Sequence, residues 1–298
     1  MTERKSLQAG IAPAVASTVA FAVLPILISQ LLALGFSSYQ VMTLRFTLAV
    51  PLSLLYLLMA QRRILREWRG CLTGRTIALG VLFFLTALFM TIGLESLDPA
   101  IGNVIFYTFP FLVLLIEVVR GFQRFSWALL CSMVLIFVGI VVLNSPQGDV
   151  AFQVGILWCL GSAATFTAYL LLNRQQETSQ FDAMVSIPFW CAALSVLTTV
   201  LSPASWPACS AACLWQVVGL ATVPTIVALH LVNVSLRTIT ASSFSVISST
   251  EPLFVLLLSL IISRQLLALH EVAAFAMITI GSVVATVSAL RPAPGENT

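Results

Sequence analysis

The chain has 298 residues, of which 59% are hydrophobic and only 8% charged, and its net charge is +3. A soluble domain carries about 25% charged residues, so the polar skin of a soluble enzyme, a nucleic-acid binder or a disordered chain is missing, and so small a positive balance points to no polyanionic partner. With a mean hydropathy of +1.05, the chain reads as a multi-spanning membrane protein.

Crossing roughly 30 Å of hydrocarbon takes about 20 apolar residues. Charges and clusters of Pro, Gly, Ser and Asn divide the chain into ten spans, at approximately 10–33, 39–60, 76–95, 98–118, 127–143, 152–173, 182–201, 214–236, 240–262 and 271–290. Continuous apolar runs in place of in/out alternation exclude a barrel wall. The expected fold is therefore all-α and integral to the membrane, one domain over 1–298.

The first span follows Arg4 and Lys5, as a targeting sequence would, but its apolar run exceeds the roughly 7–15 residues of a cleavable core; it reads as a retained helix. Arg45 lies inside the second span, a costly place for a charge. Glu95 and Asp98 flank the turn between the third and fourth. The fourth carries Asn103, Tyr107 and Pro110 at i, i+4 and i+7, one helical face, and a proline there frees a carbonyl that must find another partner. Phe83, Phe84, Tyr107, Phe109, Trp158, Phe166 and Trp190 sit at matching depths. Of these, Tyr107 and Trp158 are the strongest lining residues because their polar atoms need partners, with Phe83 and Phe109 beside them. His230 stands toward the inner end of the eighth span, as a gate or as a satisfied interhelical histidine. Cys209 and Cys213 share a short loop, where a four-residue spacing leaves a bridge open.

The chain also matches itself. An offset of 142 aligns Thr108 with Thr250, Pro110 with Pro252, Gln123 with Gln265 and Gly139 with Gly281; an offset of 145 aligns Gly10 with Gly155 and Gln30 with Gln175. The chain is thus two five-helix units, approximately 10–143 and 152–290, and because five is odd the second enters the membrane from the opposite face. Inverted repeats are the architecture of secondary transporters. The offset gives Ser245, Ser249 and Pro252 as counterparts of Asn103, Tyr107 and Pro110, so two symmetry-related helices each present a polar stripe and a proline. Glu251 beside Pro252 is a deep carboxylate. Its sequence-level roles are a salt bridge to Arg45, a proton-coupling group, or a site for a substrate ammonium; Glu95 or Asp98 is the alternative partner for Arg45.

Twelve of the fourteen basic residues fall on the face that holds both termini, with Arg264 alone on the other. By the positive-inside rule, both termini are expected in the cytoplasm, of a cell (inner) membrane.

Arg45-Phe46, the segment LESLDPAIGNVIFYTFPFLVLLIEVV, the GIVVL closing the fifth span and LHLVNVSLRTITASSFSVISSTEPLFVLLLSLII of the second half resemble the drug/metabolite transporter superfamily in its ten-helix EamA-type form, over nearly the whole chain. In size and layout the chain is similar to amino-acid and metabolite exporters, aromatic amino-acid exporters included. The resemblance implies a central cavity lined mainly by helices 1, 3, 4, 6, 8 and 9, with helices 5 and 10 peripheral.

Lys5 is the only lysine, so there is no G-x-x-x-x-G-K-[ST] phosphate loop; H-E-x-x-H and G-x-S-x-G are absent too. No metal site, cofactor or enzymatic activity is expected. The expected function is export of small amphipathic metabolites, foremost neutral or aromatic amino acids, by alternating access. The alternatives are a proton-coupled exporter of cationic drugs and a membrane-embedded enzyme. Expected partners are the solute, the bilayer and, for the coupled case, protons, with no nucleic acid and a monomeric or homodimeric assembly.

Overall fold

A computed structural model describes residues 2–60, 73–120, 127–143, 150–174, 181–202, 204–236, 247–248, 250–263 and 268–289. Among these the chain is helical apart from short turns and connections, and there is no strand. In order come α1 (Thr2–Ala33), α2 (Ser38–Ala60), α3 (Gly74–Gly93), α4 (Pro99–Phe106), α5 (Phe109–Val119), α6 (Trp127–Leu143), α7 (Val150–Arg174), α8 (Ile187–Leu201), α9 (Ala211–Ala221), α10 (Ala228–Leu236), α11 (Glu251–Ser263) and α12 (Leu269–Ala289). Six helical stretches are long and apolar enough to cross a membrane, and shorter apolar helices accompany them. The fourth span is α4 and α5 together, broken in the middle. The eighth is α9 and α10 joined through a π-helical turn, Thr222–Val227, and a second π-turn, Asp182–Ser186, leads into α8. The architecture is ten spans in two inverted five-helix repeats.

Local chemistry accounts for the ends of these helices. Asp98 accepts from the amide of Ala100 and is followed by Pro99, so α4 starts with a side-chain cap and a residue that lacks a donor where none is needed. Ser210 caps α9 and Thr73 caps α3 in the same way. Gly35, at φ +90°, closes α1, with the Phe36 amide reaching back to the Leu31 carbonyl; the left-handed turn suits glycine alone without strain. Cys209 and Cys213 form a disulfide in the loop that enters α9.

The inverted repeat is written into the packing. α6 and α12 lie against each other, and a Cβ on Gly139 would meet Ile278 Cγ1 at 2.6 Å and the Ala274 carbonyl at 3.1 Å. A Cβ on Gly281 would meet Ile136 Cγ1 at 2.7 Å and the Ser132 carbonyl at 3.1 Å. Each of these residues is the 142-offset counterpart of its opposite number, and residue numbers rise along one helix as they fall along the other. The two helices are therefore antiparallel and related by a two-fold axis. The close approach of α3 to α7, Gly93 against the Gly155 carbonyl, recurs between α10 and α1, where Ser235 Oγ donates to the Gly10 carbonyl at 2.9 Å. Serine takes glycine's place there and fills the gap with a hydrogen bond. With Phe137 and Ile280 exposed on their outer faces, α6 and α12 are peripheral, and the other helices enclose the site.

Candidate functional site

The fourth span and its repeat counterpart, with Pro110 and Pro252 at equivalent positions, turn at the same place. Pro110 has no amide for the Phe106 carbonyl, and α4 ends at Phe106, turns through Tyr107 and Thr108, and resumes at Phe109; in that turn the Thr108 amide bonds the Ile105 carbonyl at 3.1 Å. In the second repeat the Thr250 amide bonds the Ile247 carbonyl at the same 3.1 Å, and α11 begins at Glu251, with Pro252 buried behind it.

The two breaks touch. Tyr107 Oη donates to Glu251 Oε2 at 2.6 Å, both side chains buried. Asn103, one turn earlier and 3% exposed, also faces the Glu251 carboxyl, and Thr108 Oγ1 is buried without a hydrogen bond among the described residues. A buried hydroxyl within a turn of this polar cluster is what a polar ligand or water would satisfy.

From Tyr107 a row of rings runs across the bundle. Tyr107 meets Phe109 at 5.4 Å, Phe109 meets Phe166 edge-on at 4.8 Å, Phe166 stacks on Tyr169 at 5.8 Å, Tyr169 meets Phe83 at 5.4 Å, and Phe83 meets Phe46 at 6.3 Å. Phe106 joins the row against Phe109 and Phe166. α2, α3, α5 and α7 thereby contribute to one aromatic wall, each pair in the offset or edge-on geometry that ring quadrupoles favour.

Arg45 stands at the other end of the row, its guanidinium carbon 4.9 Å from the Phe46 ring centroid. Its Nε donates to Thr225 Oγ1 at 3.3 Å, and Thr225 in turn donates to the Leu220 carbonyl at 3.1 Å. Pro224 explains that second bond: it has no amide for the Leu220 carbonyl, the helix widens into a π-turn, and the Thr225 hydroxyl takes the orphaned acceptor.

The expected Arg45–Glu251 salt bridge is not formed. Arg45 faces the π-turn after α9, whereas Glu251 faces α4, and the aromatic row lies between them. Glu95 does not pair with Arg45 either; its Oε1 accepts from Ser38 Oγ. Glu95 lines a cavity of about 510 Å³ with Ser29, Phe36, Ser37, Ala204 and Ser205, at the face where α1 ends and α2 begins. At the opposite end of α2, Tyr56 Oη lies 2.9 Å from His230 Nδ1, with the rings packed edge-on, so His230 is a satisfied interhelical residue. Trp158, expected as a lining residue, packs against Phe89 at 5.1 Å. Phe84 is buried in the core and Trp190 covers Gly80. Ser245 and Ser249 lie outside the described residues.

Thr225, Phe46, Tyr169 and Tyr56 belong to these sites and were missed by the spacing argument. Pro224 in mid-span was the available signal for Thr225, and a tyrosine hydroxyl within a span was the signal for Tyr169.

The model of the EamA-like transporter family matches the chain twice, over residues 8–145 and 153–287. The chain belongs to the EamA-like transporter family. Its two matches fall one on each half, and the membership makes the protein a multi-pass membrane transporter of small molecules. No curated protein matches it. Among solved structures, one titled only "Crystal structure of protein" superposes with a TM-score of 0.65 at 19% identity, covering 96% of this chain and 99% of the other; at that identity it speaks for the fold alone.

Proposed function

We propose that this EamA protein is a secondary transporter that exports small amphipathic metabolites, neutral and aromatic amino acids foremost, by alternating access. The observation that carries it is the aromatic wall that runs from the buried Arg45 to the buried Tyr107–Glu251 pair, where two helix breaks related by the repeat meet. An apolar pocket with few polar fixtures is how a small amphipathic solute is held, and inverted repeats with interrupted helices are how such a site is shown to each side in turn. Asn103, Tyr107 and Phe109 bind the solute at the breaks, Phe83 lines the path, and Pro110 and Pro252 hold the breaks open. Ser245 and Ser249 are the second repeat's contribution by symmetry.

The termini are cytoplasmic and the membrane is the inner one. The Cys209–Cys213 disulfide then falls on the extracytoplasmic side, where disulfides persist. On that side Glu95 borders the 510 Å³ vestibule, while the Tyr56–His230 contact ties the cytoplasmic ends of α2 and α10. One specific observation favours a second reading, a proton-coupled exporter of cationic compounds: Glu251 ends the aromatic wall, and a carboxylate beside ring faces suits a cation.

The test is uptake and counterflow of labelled amino acids into proteoliposomes, with and without an imposed pH gradient. Saturable amino-acid flux supports the first reading. Flux of cationic dyes alone, lost in Glu251→Gln, transfers support to the second, and no flux of any solute defeats both.

A further inference from the structure

We propose that Arg45 is the site that receives the carboxylate of the transported solute, and that the solute's ammonium group is not what the protein recognises. The inference rests on the transport reading and adds to it the identity of the recognised group.

Four observations lead there. First, Arg45 is 3% exposed and sits seven residues into α2, about 10 Å from that helix end at 1.5 Å per residue. A guanidinium at such depth is costly and in membrane proteins faces a partner or a pathway. Second, the partner it has is insufficient. Guanidinium carries five N–H donors, and among the described residues Arg45 uses one of them, Nε, on the neutral hydroxyl of Thr225. The deep carboxylate that would have neutralised it, Glu251, is taken by Tyr107, and Glu95 by Ser38. Its terminal nitrogens form the planar fork that suits a carboxylate in two-point contact.

Third, the charge breaks the repeat where the scaffold obeys it. Gly139 and Gly281, Thr108 and Thr250, and the Gly93–Gly155 and Ser235–Gly10 contacts all come in symmetric pairs. The offsets of 142 and 145 place the uncharged segment Ile187–Trp190 opposite Arg45. A cation present once in a duplicated frame is not part of what holds the two halves together. Fourth, Phe46, Phe83 and Tyr169 lead directly away from Arg45, so a carboxylate seated there lays its apolar body along the ring wall. Glu251 stands beside Tyr107 at the other end of the row of rings, so the two charges mark separate ends of one wall.

The solute class is therefore a carboxylate with an apolar or aromatic body, with or without an amino group. The experiment compares phenylalanine, 3-phenylpropionate (carboxylate, no ammonium) and phenylalaninamide (ammonium, no carboxylate) on the purified full-length protein. Binding is read by ligand-induced thermal stabilisation in detergent, and transport by competition with labelled phenylalanine in proteoliposomes. In the wild type, 3-phenylpropionate is expected to compete and phenylalaninamide to be weaker by roughly tenfold or more, the worth of a charge-assisted contact. Arg45→Gln should abolish that discrimination, and Arg45→Lys should restore part of it.

Equal competition by acid and amide in the wild type overturns the assignment, and needs no variant to fold. Discrimination retained in a folded Arg45→Gln protein overturns it as well. If the acids stabilise the wild type in detergent but no solute is carried, the transport reading has failed while the carboxylate site stands.

Discussion

Tyr107→Phe removes a hydrogen bond that joins the two helix breaks. The phenyl ring keeps the contacts with Phe106 at 5.8 Å and Phe109 at 5.4 Å, so ring packing is preserved while the donor to Glu251 is lost. A 2.6 Å bond between buried groups, one of them a carboxylate, is worth about 1.5–3 kcal/mol, and the abandoned acceptor keeps its desolvation cost. At about 2 °C per kcal/mol for a chain of this length, the apparent Tm in detergent should fall by about 3–6 °C. Glu251→Gln retains a carbonyl that can accept from Tyr107 and should lose less, about 1 kcal/mol. With the Tyr107 donor gone, Glu251→Gln has no bond left to weaken, so the double variant should fall short of the sum of the singles by about 1 kcal/mol. Thermal melting followed by size-exclusion chromatography measures all four proteins. Additive losses, or an unchanged Tm in Tyr107→Phe, would refute the coupling between the breaks.

Gly139→Leu and Gly281→Leu should each destabilise the protein by about 1–3 kcal/mol, the cost of overfilling a packed interface, and by similar amounts because their surroundings are two-fold equivalents; markedly unequal melting shifts would contradict that equivalence. Phe166→Leu removes the ring that links Phe109 to Tyr169 and should raise the KM for aromatic solutes more than for aliphatic ones; an equal change for both would show that the wall does not select. A cysteine at position 68, in a background free of other reactive thiols, should react with an impermeant maleimide only from the cytoplasmic side, as the basic-residue asymmetry requires; labelling from outside would reverse the orientation.

How far the sequence reaches differs between scaffold and site. The seventh span, read at 182–201, coincides with the helical stretch that the π-turn at Asp182 opens and Leu201 closes, because a charge bounds it on one side and a proline on the other. α1 starts at Thr2, well before the apolar run, since a helix does not stop where hydrocarbon does. The break ahead of Pro110 was legible from proline chemistry, and Asn103 and Tyr107 shared a face from their spacing alone. The partner of Glu251 was not legible. Depth along a helix places Arg45 and Glu251 within reach of each other, but it carries no information on rotation about the axis or on which helices are neighbours. α2 packs on α8 and α9, and α11 on α1 and α4, so the two charges look different ways.

Alternating access is the account's central claim, and locking the vestibule tests it most directly. Ser37 and Ser205 both border the 510 Å³ cavity. With Cys71 and Cys131 replaced by alanine, a Ser37→Cys/Ser205→Cys pair joined by a short bis-maleimide leaves the native disulfide intact. Flux in proteoliposomes should then drop to the protein-free background, while each single-cysteine protein treated alike keeps its activity. Undiminished flux through the cross-linked protein would contradict alternating access.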